Sequence, residues 1–186
     1  MEIYLIRHTT PCLGHDICYG QSDIALADSF PEEWQTLRSK LPEHFDAIYS
    51  SPLKRCQLLA ERLNGTKIQY DERLLELNFG EWEMKGWNEI NQDGLKVWMD
   101  NFVEQKTPGG ESFRALWVRV TAFLKDLEKT SFDTIALVTH AGVIRTIIAH
   151  ILGMPLQNAF QLKLDCGGVS LIILRENTYN LAYMNK

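Results

Sequence analysis

The sequence predicts an α/β protein, a three-layer sandwich with a mostly parallel central sheet flanked by helices. Three observations predict it. Strand-like apolar runs alternate with amphipathic helical stretches along the chain. Two of those runs, residues 2–7 and 134–139, are nearly continuous in apolar side chains, as strands covered on both faces are. Finally, 186 residues with 45% hydrophobic and 23% charged side chains suit a single domain, here residues 1–186, with a core of its own.

The elements follow in order. A strand spans residues 2–7. Phe30, Trp34, Leu37 and Leu41 then recur at helical spacing, and Ser29 with Glu32 forms a capping-box pattern ahead of them. Ala47-Ile48-Tyr49 reads as a second strand. Ser51-Pro52 reads as an N-cap followed by proline at the first helical position, opening a helix that carries Leu53, Cys56, Ala60 and Leu63. A long stripe of Phe113, Leu116, Trp117, Val120, Leu124 and Leu127 predicts a helix across 111–129. Thr134 to Thr139 is a strand, and a helix from Val143 to Leu152 closes at Gly153 with Pro155 beyond. The tail reads as strands over Gln161–Asp165, Ser170–Leu174 and Asn180–Tyr183, punctuated by Gly167-Gly168 and Glu176-Asn177 turns.

Composition excludes several functions. The net charge is −5, so a nucleic-acid backbone binder is not expected. No apolar run approaches the ~20 residues a membrane span needs. The first residues lack a basic stretch and a cleavage site, so no signal peptide is expected and a cytoplasmic location is. Cys12, Cys18, Cys56 and Cys166 form no C-x-x-C pair and read as free thiols. Oligomeric state is not legible.

The chemistry concentrates where strands run out. Leu5-Ile6-Arg7-His8-Thr9 and Val138-Thr139-His140-Ala141-Gly142 each end an apolar strand in a histidine, and Tyr49-Ser50-Ser51-Pro52-Leu53-Lys54-Arg55 runs a strand into a helix that carries an arginine in its first turn. In open α/β sheets, ligands gather beyond the carboxyl ends of the strands. Arg7, His8, Arg55 and His140 together suit a phosphoryl group. Guanidinium forks pair with phosphate oxygens, and a neutral imidazole is a nucleophile. The second imidazole is placed to donate a hydrogen bond. No H-x-x-x-H or H-x-x-E-H spacing occurs, so neither metal nor cofactor is expected. His15, His44 and His150 lack comparable contexts and read as surface or structural.

These three motifs, in this order and spacing, resemble the histidine phosphatase superfamily, which includes phosphoglycerate mutases and many phosphatases. The resemblance implies phosphorylation of His8, with Arg7, Arg55 and His140 holding the phosphoryl group and no metal taking part. His15-Asp16-Ile17-Cys18-Tyr19-Gly20-Gln21-Ser22-Asp23, Leu75-Glu76-Leu77-Asn78-Phe79-Gly80-Glu81-Trp82-Glu83-Met84 and Thr9-Thr10-Pro11 are similar to the α-ribazole phosphatase branch. Gly109-Gly110-Glu111-Ser112 resembles the family's turn before a helix. The implied substrate is a small phosphate monoester, the 5′-phosphate of α-ribazole or its cobamide form in cobalamin assembly. A broad-specificity phosphatase, a mutase and a non-catalytic phospholigand binder are the alternatives. Thr9, Thr10, Gly20, Gln21, Glu81, Trp82 and Ala141 are the expected substrate contacts.

The reaction needs an acid for the leaving alkoxide and later a base for water. Glu76, Glu81 and Glu83 are the candidates. Glu76 sits among Leu74, Leu75, Leu77 and Phe79, a setting that favours a protonated carboxyl, and the family pattern points to the same residue. Phe79, Trp82, Trp87, Trp98 and Phe102 crowd an irregular excursion around 76–110 with weak helix and strand signals. Most of these rings are expected to pack the excursion onto the domain as a cap. Trp82 or Trp87 is expected nearest the substrate.

Overall fold

The computed structural model describes residues 1–14 and 16–186; His15 lies outside them. Among the described residues six strands form one sheet: β1 (Glu2–Arg7), β2 (Ala47–Ser50), β3 (Ile68–Tyr70), β4 (Thr134–Thr139), β5 (Val169–Arg175) and β6 (Thr178–Tyr183). Their order is β3-β2-β4-β1-β5-β6. The first four run parallel, and β5 and β6 add an antiparallel edge. The helices are α1 (Phe30–Arg38), α2 (Lys54–Ala60), α3 (Gln92–Asp100), α4 (Phe113–Leu127) and α5 (Ala141–Ile151).

Side chains alternate across the sheet, so each central strand feeds two cores. Ile135 and Leu137 of β4 join Ile3, Leu5 and Ala47 beneath α4 and α5. Ala136 and Val138 join Ile6, Ile48 and Val169 on the opposite face, with Leu37 of α1 and Cys56, Leu59 and Ala60 of α2. Burial of each such large aliphatic side chain contributes about 1.5–3 kcal/mol, and both cores must form for the sheet to lie between them. This is the three-layer sandwich the periodicity predicts.

Register brings the strand ends level. Arg7 pairs with Thr139 and Ser50 with Val138, and His8 N–H donates to the Thr139 carbonyl at 3.0 Å. The next residue of each strand, His8, Ser51 and His140, therefore emerges at one edge.

Four local expectations are corrected. Ser29 makes no side-chain cap to α1; its hydroxyl donates to Glu33 Oε1 instead. Helix α2 starts at Lys54 with Leu53 at its N-cap position; the Ser51 hydroxyl oxygen accepts from His140 at 2.8 Å and more weakly from the Leu53 N–H at 3.4 Å. Residues 161–165 form no strand. A 3-10 helix covers Leu156–Gln161, and the segment after it lends carbonyls to arginine side chains instead of to a ladder. The excursion contains α3, capped by Asn91 through its side chain. Gly94 and Asp93 near its start weaken the sequence signal. The Glu176-Asn177 turn is as expected, with both residues at positive φ (48° and 62°), the backbone a two-residue hairpin turn needs.

Candidate active site

A cavity of about 230 Å³ opens at the carboxyl edge of the parallel strands. Arg7, His8, Glu76 and Arg145 supply its polar side chains, Ala141 and Gly142 the backbone at the start of α5, and Ile17, Tyr19, Leu77, Phe79, Trp87, Phe113 and Phe160 its largely apolar wall.

His8 is 2% exposed. Its Nδ1 lies 2.7 Å from the Thr9 carbonyl oxygen. A carbonyl only accepts, so Nδ1 carries the proton and donates, which leaves the Nε2 lone pair free. Burial first, then the positive charges of Arg55 and Arg7, hold the His8 pKa well below the ordinary histidine value, against a smaller opposing effect of the Thr9 carbonyl. The ring is therefore neutral near pH 7.

His140 stands beside it, with ring centroids 5.2 Å apart and the rings inclined at 61°. Arg55 Nε donates to His140 Nδ1 at 3.3 Å, so Nε2 bears the proton and donates to Ser51 Oγ at 2.8 Å. The Cys56 thiol packs 3.5 Å from the same Nε2. Burial and then Arg55 depress the His140 pKa too. Arg55 is 0% exposed, far from a solvated helix arginine, and its two terminal nitrogens donate to the carbonyls of Ser22 and Gly20 at 2.8 and 2.6 Å. Arg55 and His140 thus form a layer behind the cavity wall. Arg7 is in the wall itself: Nη1 donates to the Leu164 carbonyl at 2.6 Å, while its buried Nε has no partner. A buried cationic donor left open beside a cavity is suited to an anionic guest.

Glu76 reaches the cavity from an irregular segment. Its Oε2 accepts from the Gly142 N–H at 3.1 Å, near the start of α5, and its Oε1 from the Leu77 N–H at 2.9 Å. Gly142 makes room for it, since a Cβ there would fall 2.2 Å from Glu76 Oε1. The other two acid candidates lie outside the cavity lining. Glu81 is solvent-exposed. Glu83 accepts from the N–H groups of Gln21, Phe79 and Ser22 and from the Ser22 hydroxyl. Burial works to raise its pKa, but those hydrogen bonds overcome it and hold the carboxyl below the usual range.

Of the expected substrate contacts, Ala141 lines the cavity. Thr9, Thr10, Gly20 and Gln21 lie behind the lining: Thr10 N–H donates to Glu33 at 2.9 Å, Gly20 supports Arg55, and Gln21 Nε2 donates to the Glu76 carbonyl at 3.0 Å. Trp82 is 7% exposed and packs edge-on against Trp98 at 5.9 Å, away from the cavity. Trp87, by contrast, lines it and stands edge-on to Phe79 at 5.8 Å. His44 is exposed, and His150 packs edge-on against Trp117. The sequence reading missed Arg145. It follows Ala141 by four residues, so helical spacing puts both on one face, and that spacing was the available signal.

A profile of the histidine phosphatase superfamily (branch 1) matches residues 3–186. The chain belongs to this superfamily. It is 31% identical, over its whole length and 95% of the relative's, to a protein of Hydrogenobacter thermophilus named provisionally as phosphoserine phosphatase 2. It is 28% identical, over its whole length and 96% of the relative's, to the adenosylcobalamin/α-ribazole phosphatase of Escherichia coli K12. Its fold superposes on the crystal structure of the α-ribazole phosphatase from Shigella flexneri with a TM-score of 0.90 at 27% identity, covering all of this chain and 96% of that one. These relatives are phosphatases with different named substrates. Among the described residues, no helix of this superfamily member is long and apolar enough to cross a membrane.

Proposed function

We propose that the protein hydrolyses the 5′-phosphate of α-ribazole phosphate, or of its cobamide form, in cobalamin biosynthesis, through a phosphohistidine at His8. The observation that carries the mechanism is the His8 tautomer. Nδ1 is spent on the Thr9 carbonyl, so the nucleophilic lone pair is on the other nitrogen of a residue that lines the cavity. That lone pair attacks phosphorus as the ester P–O bond breaks. Glu76, acting as the acid, gives a proton to the departing 5′-oxygen. Water then attacks the phosphohistidine, Glu76 takes a proton from it, the P–N bond breaks, and His8 returns neutral. Arg7 grips phosphoryl oxygens from the cavity wall. Arg55 and His140 back the site with fixed charge and orientation, so little reorganisation is needed as charge shifts.

The aromatic wall supports the substrate. Phe79 and Trp87 offer faces and edges to a flat base, and stacking of this kind contributes about 1–3 kcal/mol. The excursion around residues 76–110 acts as the cap that carries them. Arg145 favours a second reading. Its Nε donates to the Leu162 carbonyl at 3.2 Å, and its terminal nitrogens make no protein hydrogen bond among the described residues, so they suit the carboxylate of a phosphoserine-like ester.

The test is rapid acid quench with radiolabelled substrate, alongside kcat/KM for α-ribazole phosphate, phosphoserine, 3-phosphoglycerate and p-nitrophenyl phosphate. Label on His8 and preference for α-ribazole phosphate are expected. Turnover without label on His8 overturns the mechanism, and preference for phosphoserine overturns the substrate.

A further inference from the structure

Residues 73–78 carry Glu76 into the cavity, yet beyond the 3-10 turn that ends at Leu74 they belong to no helix or strand. Their backbone polar groups have no ladder to satisfy them, and a half-buried carbonyl without a partner is costly. A single guanidinium from α4 fills that role. Arg119 Nη1 donates to the carbonyls of Arg73 and Leu75 at 2.8 and 2.6 Å. Nη2 donates to the Glu76 carbonyl at 2.8 Å and to Glu111 Oε1 at 2.7 Å, and Nε donates to Glu111 Oε2 at 3.3 Å. Arginine has five N–H donors, and each has an acceptor here. Glu111 extends the grip: its Oε1 also accepts from the Asn78 N–H, and its own N–H donates to the Asn78 carbonyl, both at 2.9 Å.

We infer that Arg119 and Glu111 form a clamp that positions Glu76 for proton transfer. Neither residue is among those lining the cavity, so both are positioning residues that act through the backbone on either side of the carboxylate. The inference rests on the proposed role of Glu76. The clamp holds the carbonyl of Glu76 while Gly142 and Leu77 hold its carboxylate, so the side chain is fixed at both ends. A lysine at position 119 keeps the charge but has three donors on a point-like head, which cannot span carbonyls two and three residues apart. The carboxylate then drifts, and proton transfer is steeply sensitive to such drift: a displacement of about 1 Å costs about 100-fold.

The readout uses the chemistry of the leaving group. An alkyl phosphate needs the acid when its ester bond breaks, whereas p-nitrophenolate departs without a proton. Both routes need the base to clear the phosphoenzyme. Arg119→Lys and Glu111→Gln are compared with the unmodified enzyme on α-ribazole phosphate and p-nitrophenyl phosphate, with stopped-flow detection of nitrophenolate and acid quench for label on His8. The expected result for both variants is a loss of about 100-fold in kcat on the alkyl ester. On the aryl ester a burst approaching one nitrophenolate per active site is expected, with phosphoenzyme accumulating. If either variant falls equally on both substrates with no accumulation, or loses nothing, the clamp is refuted. If Arg119→Lys does not fold, Glu111→Gln alone decides, as it keeps the shape and gives up the charge. Absence of label on His8 in the unmodified enzyme is a different result; it removes the phosphohistidine itself.

Discussion

Arg55 donates through Nε to Nδ1 of His140 at 3.3 Å. One hydrogen bond thereby settles which nitrogen of His140 holds the proton, and that proton points to Ser51. Replacing Arg55 with lysine should break this chain at its origin. The fork that also serves Gly20 and Ser22 is lost, leaving buried carbonyls unpaired. Expected are a stability loss of about 2–4 kcal/mol in urea unfolding and a fall in kcat/KM of about 100-fold or more.

Acid should weaken the fold through the two buried histidines. Both have folded-state pKa values well below 6.5, chiefly because burial disfavours the cation. Well above pH 6.5 neither the folded nor the unfolded state binds a proton at these positions, and stability is at its full value. As pH falls below 6.5 the unfolded chain protonates first and is favoured. Each histidine then removes about 1.4 kcal/mol per pH unit. Urea unfolding at pH 7.0 and 5.5 should show a loss of about 1.2 kcal/mol per histidine between the two, and His8→Gln should cut the total by about half. An unchanged midpoint between the two pH values would contradict the neutral assignment.

The seat of Glu76 should tolerate no side chain at residue 142. A Cβ there meets Glu76 Oε1 at 2.2 Å and Leu116 Cδ2 at 3.3 Å. Gly142→Ala should displace the carboxylate and lower kcat on alkyl esters by about 10- to 100-fold. Alanine favours the helix by about 1 kcal/mol over glycine, so the melting temperature should change little. Loss of folding in step with loss of activity would count against a local effect.

The two substrate readings separate through residues on opposite sides of one cavity. Trp87→Ala should raise KM for α-ribazole phosphate by about 10-fold, the lower part of the stacking range, and leave phosphoserine turnover nearly unchanged. Arg145→Met should do the reverse. If Arg145→Met damages both substrates equally, the guanidinium serves the phosphate they share.

Much of this architecture is legible in the sequence because it rests on continuous signals. Residues 2–7 and 134–139 are apolar on both faces and are the observed limits of β1 and β4. The R-H and T-H strand ends mark the edge where the cavity opens. What the sequence hides are features decided by tertiary partners. Strand β3 is three residues long with Gln69 at its centre, too short and polar for periodicity. Ser51 has the pattern of a helix cap and keeps a weak bond from the Leu53 N–H, but its shorter bond is to a histidine 89 positions away. Trp82 and Trp87 lie five residues apart in one aromatic-rich stretch, and only tertiary packing tells them apart: Trp82 meets Trp98 in the core while Trp87 lines the cavity. Arg119 reads as one more polar position on an amphipathic helix, because the carbonyls it serves lie more than 40 residues away.

The stretch after the last 3-10 turn has a consequence for how the chain tolerates change. Leu162 and Leu164 offer their carbonyls to Arg145 and Arg7, so two cations of the cavity hang from one unstructured strip of backbone. Surface connections usually absorb insertions and deletions freely. Here a change of a single residue in length shifts the phase of both carbonyls and unhooks two charges together. This connector is bound to the chemistry as tightly as any strand in the sheet.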